Sequence, residues 1–428
     1  MEATHQFNTN EYNELMIGSM TVSDLVKQYK TPLYVMDEQR INYQIELIKK
    51  SFSHPSLDTE VIYAGKAFLV KDMVKLIERQ SLSLDVVSIG EFYTAIQAGF
   101  NPKNIYFHGN NKTRDELIYA IKHQVGHIVV DNKDEFELLK SIETNHYPQL
   151  LLRINTGVEA HTHEYIKTTH HNSKFGVSAF DPNTIELIKE MHDSTYPFIG
   201  IHAHIGSQIF EIESFKQHTI EMIMFAKKLK DEANIKVEAI NLGGGFGVKY
   251  TSEDQVPSLE LMLKVVIETA YEHIKKYNLD VKKMMIEPGR SIVADSGVTI
   301  YEVGGVKTTF GQKNYVFVDG SMADHMRTAL YQAKYEAVIA NKVFDEHKKV
   351  YTIAGKACES GDMIIHDIKL PLVEPKDLLV VFTTGAYHYS MASNYNRLTK
   401  PAVVFVNGNN SRIVVKRETL DDLLRNDL

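Results

Sequence analysis

The sequence predicts an α/β chain in which a closed, TIM-like (β/α)8 barrel is joined to a C-terminal β-rich domain of sandwich or barrel type. Three observations lead there. From about residue 61 to 290, short β-branched runs alternate with amphipathic helical patterns, as in a parallel sheet wound with helices. After Arg290 the helical rhythm fades and strand-sized apolar runs follow one another. The chain has 428 residues, room for a barrel of about 250 and a second domain.

Taken in order, a strand-like Pro32–Met36 leads into a helical Asp37–Phe52 with apolar residues at Ile41, Ile45, Leu47 and Ile48. That first strand precedes the barrel and is assigned to the β-rich domain. The barrel strands are Val61–Ala64, Leu84–Val87, Asn104–Phe107, His127–Val130, Leu150–Ile154, Phe198–Ile205, Lys236–Leu242 and Lys283–Ile286. Helices such as Lys71–Gln80, Glu91–Ala98, Arg114–His123 and Leu259–Lys276 separate them. Val298–Val303, Asn314–Val318, Lys349–Ile353, Leu378–Phe382, Ala402–Val406 and Ile413–Lys416 follow, the last two joined through Asn407-Gly408-Asn409. The barrel thus spans 37–290, and the β-rich domain 1–36 with 291–428. No repeat or low-complexity tract interrupts this order.

Composition excludes several classes. Hydrophobic residues make up 43% and charged ones 24%, the usage of a globular protein rather than a disordered one. A net charge of −8 gives no field to attract a nucleic-acid backbone or an anionic membrane, so any anion must be held locally. The lone Cys358 cannot form an intrachain disulfide, and Met1–Met20 has no basic flank before an apolar core, so a reducing cytoplasm is expected. The longest apolar runs are strand-sized, far below the ~20 residues of a membrane span.

Barrel active sites are built at the C-terminal ends of the strands, and the unusual polar residues fall there. Strand by strand they are Lys66; Asp85 and Ser88; His108 and Asn110; Asp131; Arg153 and Asn155; His204 and Ser207; Gly243-Gly244-Gly245; and Glu287-Pro288-Gly289-Arg290. Burial of Lys66 at the end of an apolar strand would lower its pKa and suit it to Schiff-base chemistry; a lysine snorkelling to solvent is the plain alternative. The glycine run after the seventh strand does not match the dinucleotide fingerprint. With the loop after the eighth strand it forms the phosphate site that barrels often place there. Glu287 beside that site needs a facing cation, for which a protonated ring nitrogen serves. A Schiff-base lysine, a phosphate cradle and such a carboxylate are the parts pyridoxal phosphate (PLP) requires.

His202 and His204, two apart on a strand, offer a competing reading as the paired ligands of a metal-dependent barrel hydrolase, though the seventh and eighth strands add few further ligands. His161-Thr162-His163 with His170-His171 lies in a long polar loop and reads as solvated. In the second domain Cys358-Glu359 sits in a Gly- and acid-rich loop, as an exposed thiol able to donate a proton would. Arg327 and Tyr331, at i and i+4 of a helix, present a guanidinium and a phenol to an anion. Tyr387 follows a strand.

The motifs Tyr-Ala-Gly-Lys-Ala-Phe (63–68), Leu-Asp-Val-Val-Ser-x-Gly-Glu (84–91), Phe-His-Gly-Asn-Asn-Lys (107–112), His-x-His-Ile-Gly-Ser-Gln (202–208), Gly-Gly-Gly-Phe-Gly (243–247), Glu-Pro-Gly-Arg (287–290), Cys-Glu-Ser-Gly-Asp (358–362) and Gly-Ala-Tyr (385–387) together resemble the diaminopimelate decarboxylases. The resemblance runs in order from about residue 30 to 406. It implies a PLP-dependent enzyme of the alanine-racemase-like fold type. The implied reaction converts meso-2,6-diaminoheptanedioate to L-lysine and carbon dioxide, the last step of lysine biosynthesis. By the same resemblance Lys66 is the Schiff-base lysine, His204 stacks on the cofactor ring and Glu287 meets its nitrogen. Ser207, Gly244, Gly245 and the loop 287–290, including Gly289 and Arg290, cradle the phosphate, with Tyr387 closing over it. Asp85 and Arg153 support the cofactor from beneath. Arg290, Arg327, Tyr331 and Glu359 hold the distal end of the substrate, and Cys358 donates the proton. The resemblance also implies a homodimer in which the Cys-Glu loop completes the partner's site.

Residue chemistry favours the same substrate, because two arginines and a glutamate match a distal carboxylate and ammonium. A site built this way rejects amino acids lacking that carboxylate, such as ornithine, arginine or a carboxylated polyamine precursor. Gly65, Ala203 and Lys356-Ala357 depart from the family's usual residues beside the site and bear on fine substrate preference. A non-catalytic PLP-binding homologue would have lost Cys358, Glu359 or Arg327, and all three are present.

Overall fold

A computed structural model describes residues 8–157 and 173–428. The chain forms two compact units: Ile45–Gly247 with Val256–Gly289, and Met1–Gln44 with Val248–Gln255 and Arg290–Leu428. Residues 37–44 and 248–255 and Arg290, placed in the barrel from sequence, thus count with the β-rich unit. The histidines expected in the polar loop, at 161, 163, 170 and 171, lie outside the described residues.

Among the described residues eight parallel strands close the barrel: Asp58–Ala64, Ser83–Val86, Ile105–Phe107, His127–Val130, Gln149–Asn155, Phe198–His202, Ala239–Asn241 and Lys283–Ile286. Seven helices alternate with them: Lys71–Arg79, Ile89–Ala98, Arg114–Lys122, Lys133–Lys140, Pro182–His192, Ile212–Ala233 and Leu259–Lys276. Strands covered on both faces need apolar residues at consecutive positions, which is why His-Ile-Val-Val and Lys-Met-Met-Ile read as short unbroken runs. Ile62, Tyr106, Val129, Leu151, Ala239 and Met285, one from each of six strands, pack together as a core. Local signals set the helices. Thr113 and Glu116 form a capping box at Arg114–Lys122, and Ser88 caps Ile89–Ala98, which Gly99 ends at φ 88°.

Three barrel strands are shorter than the sequence suggests, the third, Ile105–Phe107, by Asn104 alone. The sixth stops at His202 instead of Ile205, because the chain turns away toward Gly206 at φ 128°. The seventh keeps only Ala239–Asn241 of the expected Lys236–Leu242.

In the other unit one sheet runs in the order Met363–Leu370, Lys349–Ala354, Asn314–Val318, Gly297–Thr308, Leu33–Asp37, Ala402–Asn407, Asn410–Val415. Leu378–Val381 pairs with both Gly297–Thr308 and Ala337–Ile339. The N-terminal strand therefore lies inside this sheet, antiparallel to Gly297–Thr308 and parallel to Ala402–Asn407. Met363–Leu370 escaped the sequence reading because its pattern is broken at His366-Asp367: Asp367 has φ 53° and the pairing with Lys349–Ala354 shifts register. No helix among the described residues is long and apolar enough to cross a membrane.

The barrel unit contains a buried ion pair, Lys112 Nζ to Glu135 Oε1 at 2.7 Å, with the ammonium also donating to the carbonyls of Gly109 and Val129. Replacing Glu135 by Leu strands a buried cation and is expected to lower stability by about 3–5 kcal/mol, whereas Lys112→Met combined with Glu135→Leu recovers most of that. Thermal unfolding of the two variants decides; a double variant as unstable as the single one would show that the pair is not what fails.

Candidate active site

The inner face of a strand recurs every second residue, so one pleat beyond each core residue stands a residue of the rim. Counting on from Tyr106, Val129, Leu151, Ala239 and Met285 gives His108, Asp131, Arg153, Asn241 and Glu287. Register adds His202, aligned with Arg153 on one side and with Asn241 on the other.

Glu287 is the centre of this layer. Asn241 Nδ2 donates to its Oε1 at 2.7 Å, His202 Nε2 to its Oε2 at 3.1 Å, and His108 Nε2 stands 2.8 Å from Oε1. Burial pushes the Glu287 carboxyl up, but His108 and His202 outweigh it and hold the pKa well below the usual carboxylate range. Burial takes His202 down to about 4 against the opposing pull of Glu287, so at neutral pH it is a neutral donor. Asp85 is buried on the same layer, 3.9 Å from His108 Nε2; its Oδ1 has no hydrogen-bond partner among the described residues, and burial raises its pKa.

His204 was expected to share a strand face with His202. It lies beyond the strand end instead, and its Nδ1 accepts the Gly244 N–H at 3.0 Å. That bond places any ring proton on Nε2. Burial, then the charges of Lys66 and Arg153, keep the imidazole neutral. The paired-ligand premise of a metal hydrolase therefore fails for His202 and His204. His108, His202 and Glu287 form a different cluster whose donor atoms lie within 4.8 Å of one another, with His202 hydrogen-bonded to the carboxylate.

The glycine loop is required by close approach. A Cβ on Gly244 would lie 2.2 Å from the Glu287 carbonyl oxygen, and one on Gly245, at φ 105°, would lie 2.5 Å from that of Gly206. Ile209 N–H donates to the Gly245 carbonyl and Gly247 N–H to that of Ile209, which binds the loop carrying Ser207 to the glycine loop. Gly289 packs against Ala64 and Ala67, and Ala64 N–H donates to the Pro288 carbonyl, so the eighth-strand loop is tied to the turn that carries Lys66. The first two N–H groups of the run, expected to face a phosphate, are directed inward: Gly243 donates to Asn241 Oδ1 and Gly244 to His204.

Lys66 corrects an expectation. It stands on a 3-10 turn, Gly65–Ala67, just past the strand, and its side chain is exposed rather than buried. Its charge reaches Asp85, Glu91 and His204. Glu91, quoted in the sequence motif without a role, has its carboxyl carried up to about 7 by burial. Arg153 lies over the Phe175 ring at 4.4 Å, and Asp131 accepts the Gly176 N–H at 3.0 Å.

The β-rich unit gathers a second constellation. Arg290 and Arg327 are both buried, and their guanidinium carbons lie 4.8 and 5.5 Å from the ring centre of Tyr387. Tyr387 holds φ 64°, a left-handed conformation costly for a bulky residue and maintained by its surroundings. Arg290 Nη1 donates to the Tyr250 hydroxyl, and Arg327 Nε to that of Tyr335 at 2.9 Å. The expected helix, Met326–Tyr331, brings Tyr331 within 5.0 Å of Arg327. Cys358 and Glu359 are exposed and engage other partners: Cys358 N–H donates to Asn396 Oδ1 at 2.6 Å, and Tyr395 donates to Glu359 Oε2 at 3.1 Å. Of the residues expected to hold substrate, the structure thus groups Arg290, Arg327, Tyr331 and Tyr387, while Glu359 is hydrogen-bonded to Tyr395. Tyr250, Tyr335 and Asn241 were missed, and His108 was placed at the rim without its link to Glu287. The alternation of core and polar residues along each strand was the signal for Asn241.

Comparison with known proteins places these features in context. The family model of the pyridoxal-dependent decarboxylase pyridoxal binding domain matches residues 38–294. The chain is 46% identical to the diaminopimelate decarboxylase of Bacillus subtilis (strain 168), covering 98% of this chain and 96% of that one. It is 44% identical to that of Staphylococcus aureus (strain COL), covering 98% of each. Its structure is similar to that of the diaminopimelate decarboxylase from M. jannaschii in co-complex with L-lysine, with a TM-score of 0.91, 31% identity, and coverage of 100% and 99%.

The buried histidine at Glu287 carries a pH signature. With a folded value of about 4 against an ordinary 6.5, neutral His202 contributes stability that is complete above pH 6.5 and lost as pH falls toward 4. His202→Gln keeps a donor without the titration. Its melting temperature is expected to fall less steeply than the wild type's between pH 6.5 and 4, and equal slopes would contradict the assignment.

Proposed function

This chain belongs to the diaminopimelate decarboxylase family of pyridoxal-dependent decarboxylases, and from that premise we propose that it converts meso-2,6-diaminoheptanedioate to L-lysine and carbon dioxide. The observation that carries the substrate is Arg327, a buried guanidinium whose fixed partners are phenols and which pairs with no carboxylate among the described residues. A buried cation left in that state calls for an anionic ligand group. The distal carboxylate of diaminopimelate is such a group, and ornithine and arginine lack it.

The residues present fit PLP. Three glycine-bearing loops approach so closely that side chains would fill the space between them, and Glu287 is an ionised carboxylate suited to a cationic ring nitrogen. When bound, PLP supplies an electron sink for the carbanion that departing carbon dioxide leaves behind. We assign Lys66 to tether the cofactor through its ε-amine, which would yield that place to the substrate amine and take it back as the product amine leaves. His204 would flank the ring, and Asp85 and Arg153 would support it. Ser207, Gly244, Gly245, Gly289 and Arg290 would hold its phosphate with Tyr387. Arg290, Arg327, Tyr331 and Tyr387 would orient the distal amino-acid end. The exposed Cys358 Sγ would return a proton to the carbon that lost its carboxylate, and Glu359 would bind the distal ammonium. Since Cys358 and Glu359 are exposed and their hydrogen-bond partners are Asn396 and Tyr395, we assign both to the site of a second copy in a homodimer, working in the cytoplasm.

Mass spectrometry of products from separate incubations with meso-diaminopimelate, ornithine, arginine and a carboxylated polyamine precursor tests the reading. Lysine from the meso isomer is expected, with the others slower by about 10⁴-fold or more. A comparable product from any of them would overturn the role of the arginines. Lys66→Ala should yield no product and lose the visible absorption of bound PLP, while Cys358→Ala should keep that absorption and react slowly; full activity of either would remove its assignment.

A further inference from the structure

Around Arg327 lie buried rings to which the reaction as described gives no task. We propose that Tyr335 is a positioning residue for substrate recognition: its hydroxyl fixes the guanidinium of Arg327 and leaves that charge available for the ligand's carboxylate. The proposal rests on the reading that Arg327 binds the distal carboxylate.

Arg327 Nε donates to the Tyr335 hydroxyl at 2.9 Å, a contact buried on both sides. A carboxylate in the same place would hold the guanidinium equally well, but it would neutralise the cation and compete with the incoming anion. A phenol holds it without doing either. Anchoring at Nε occupies one position of the guanidinium fork, so the two Nη groups remain for a bidentate carboxylate.

Tyr335 is held in turn by edge contacts from three directions. Tyr250 lies 5.2 Å away at 86°, His325 4.7 Å away at 72° and His388 5.2 Å away at 83°. The two imidazoles are 4.6 Å apart and almost wholly buried. Burial, followed by the nearby Arg327 charge, takes His325 down to about 3. Burial, then His325 and Arg327, takes His388 well below its ordinary value. Both are neutral at working pH and add no charge to the cage. Neither nitrogen of His325, nor Nε2 of His388, has a hydrogen-bond partner among the described residues, so these rings act on Tyr335 by shape. Tyr250, whose ring meets Tyr335, also takes the hydrogen bond from Arg290, which links both arginines through one pair of tyrosines.

The test is a double-mutant cycle on the PLP-loaded enzyme with meso-diaminopimelate: wild type, Tyr335→Phe, Arg327→Ala and the double variant. Tyr335→Phe is expected to raise KM about 10-fold with kcat within about 2-fold and PLP occupancy unchanged. In the Arg327→Ala background it should add nothing. An unchanged KM in Tyr335→Phe, or an additive effect in the double variant, would overturn the proposal while leaving Arg327 as the substrate group. An unchanged KM in Arg327→Ala would instead overturn the reading beneath it. Should Tyr335→Phe lose PLP or melt early, Tyr335→His keeps an acceptor in the cage: a KM near the wild type's supports positioning, and one raised as far as in Arg327→Ala overturns it.

Discussion

The barrel unit is organised around one constraint, a carboxylate buried with its charge kept. An isolated carboxylate taken out of water is unstable and protonates, so Glu287 stays ionised only because separate strands deliver groups to its oxygens. Asn241 and His202 are neighbours in register, and His108 arrives from across the barrel. A slip of one residue in any of these strands would turn its donor out of the barrel. The backbone of Glu287 is equally committed, since its carbonyl lies where a Gly244 side chain would begin. The glycine loop, the tautomer of His204 and the charge state of Glu287 are thus parts of one arrangement.

The β-rich unit handles charge in the opposite way. There Arg327 is a buried cation whose guanidinium is met by the Tyr335 hydroxyl and by the rings of Tyr331 and Tyr387, which orient it without cancelling it. Burial works against Arg327, yet Tyr335 and Tyr250 more than compensate and its pKa is raised. A site with an uncancelled cation such as Arg327 gains most from a ligand with a matching anion and is penalised by one without it. On the substrate role we propose for Arg327, such a site would favour an amino acid with two carboxylates over one with a single carboxylate.

Much of this was legible in the sequence, where the signal was local. Strands such as His127–Val130, Lys283–Ile286 and Asn314–Val318 were read to the residue because unbroken apolar runs bounded by polar turns have one solution. The glycine run, Glu287 and the Arg327–Tyr331 spacing were likewise visible. What was not legible depends on distant contacts. His108 and Asn241 look like ordinary strand-end polar residues until closure of the barrel brings them to Glu287. Tyr335 and Tyr250, far apart in sequence, meet only in the fold. Sequence left Lys66 between burial and exposure, and the structure decides for exposure because one extra turn, Gly65–Ala67, carries it past the buried end of its strand.

In the reaction we propose, the ionised carboxylate at position 287 enables the chemistry. The most direct measurement is the decarboxylation rate of Glu287→Gln saturated with PLP and meso-diaminopimelate. Glutamine retains the size and the hydrogen-bonding oxygen and loses the charge, so the rate should fall by about 10²–10³-fold with the cofactor still bound. A variant that binds PLP and decarboxylates at the wild-type rate would contradict the account.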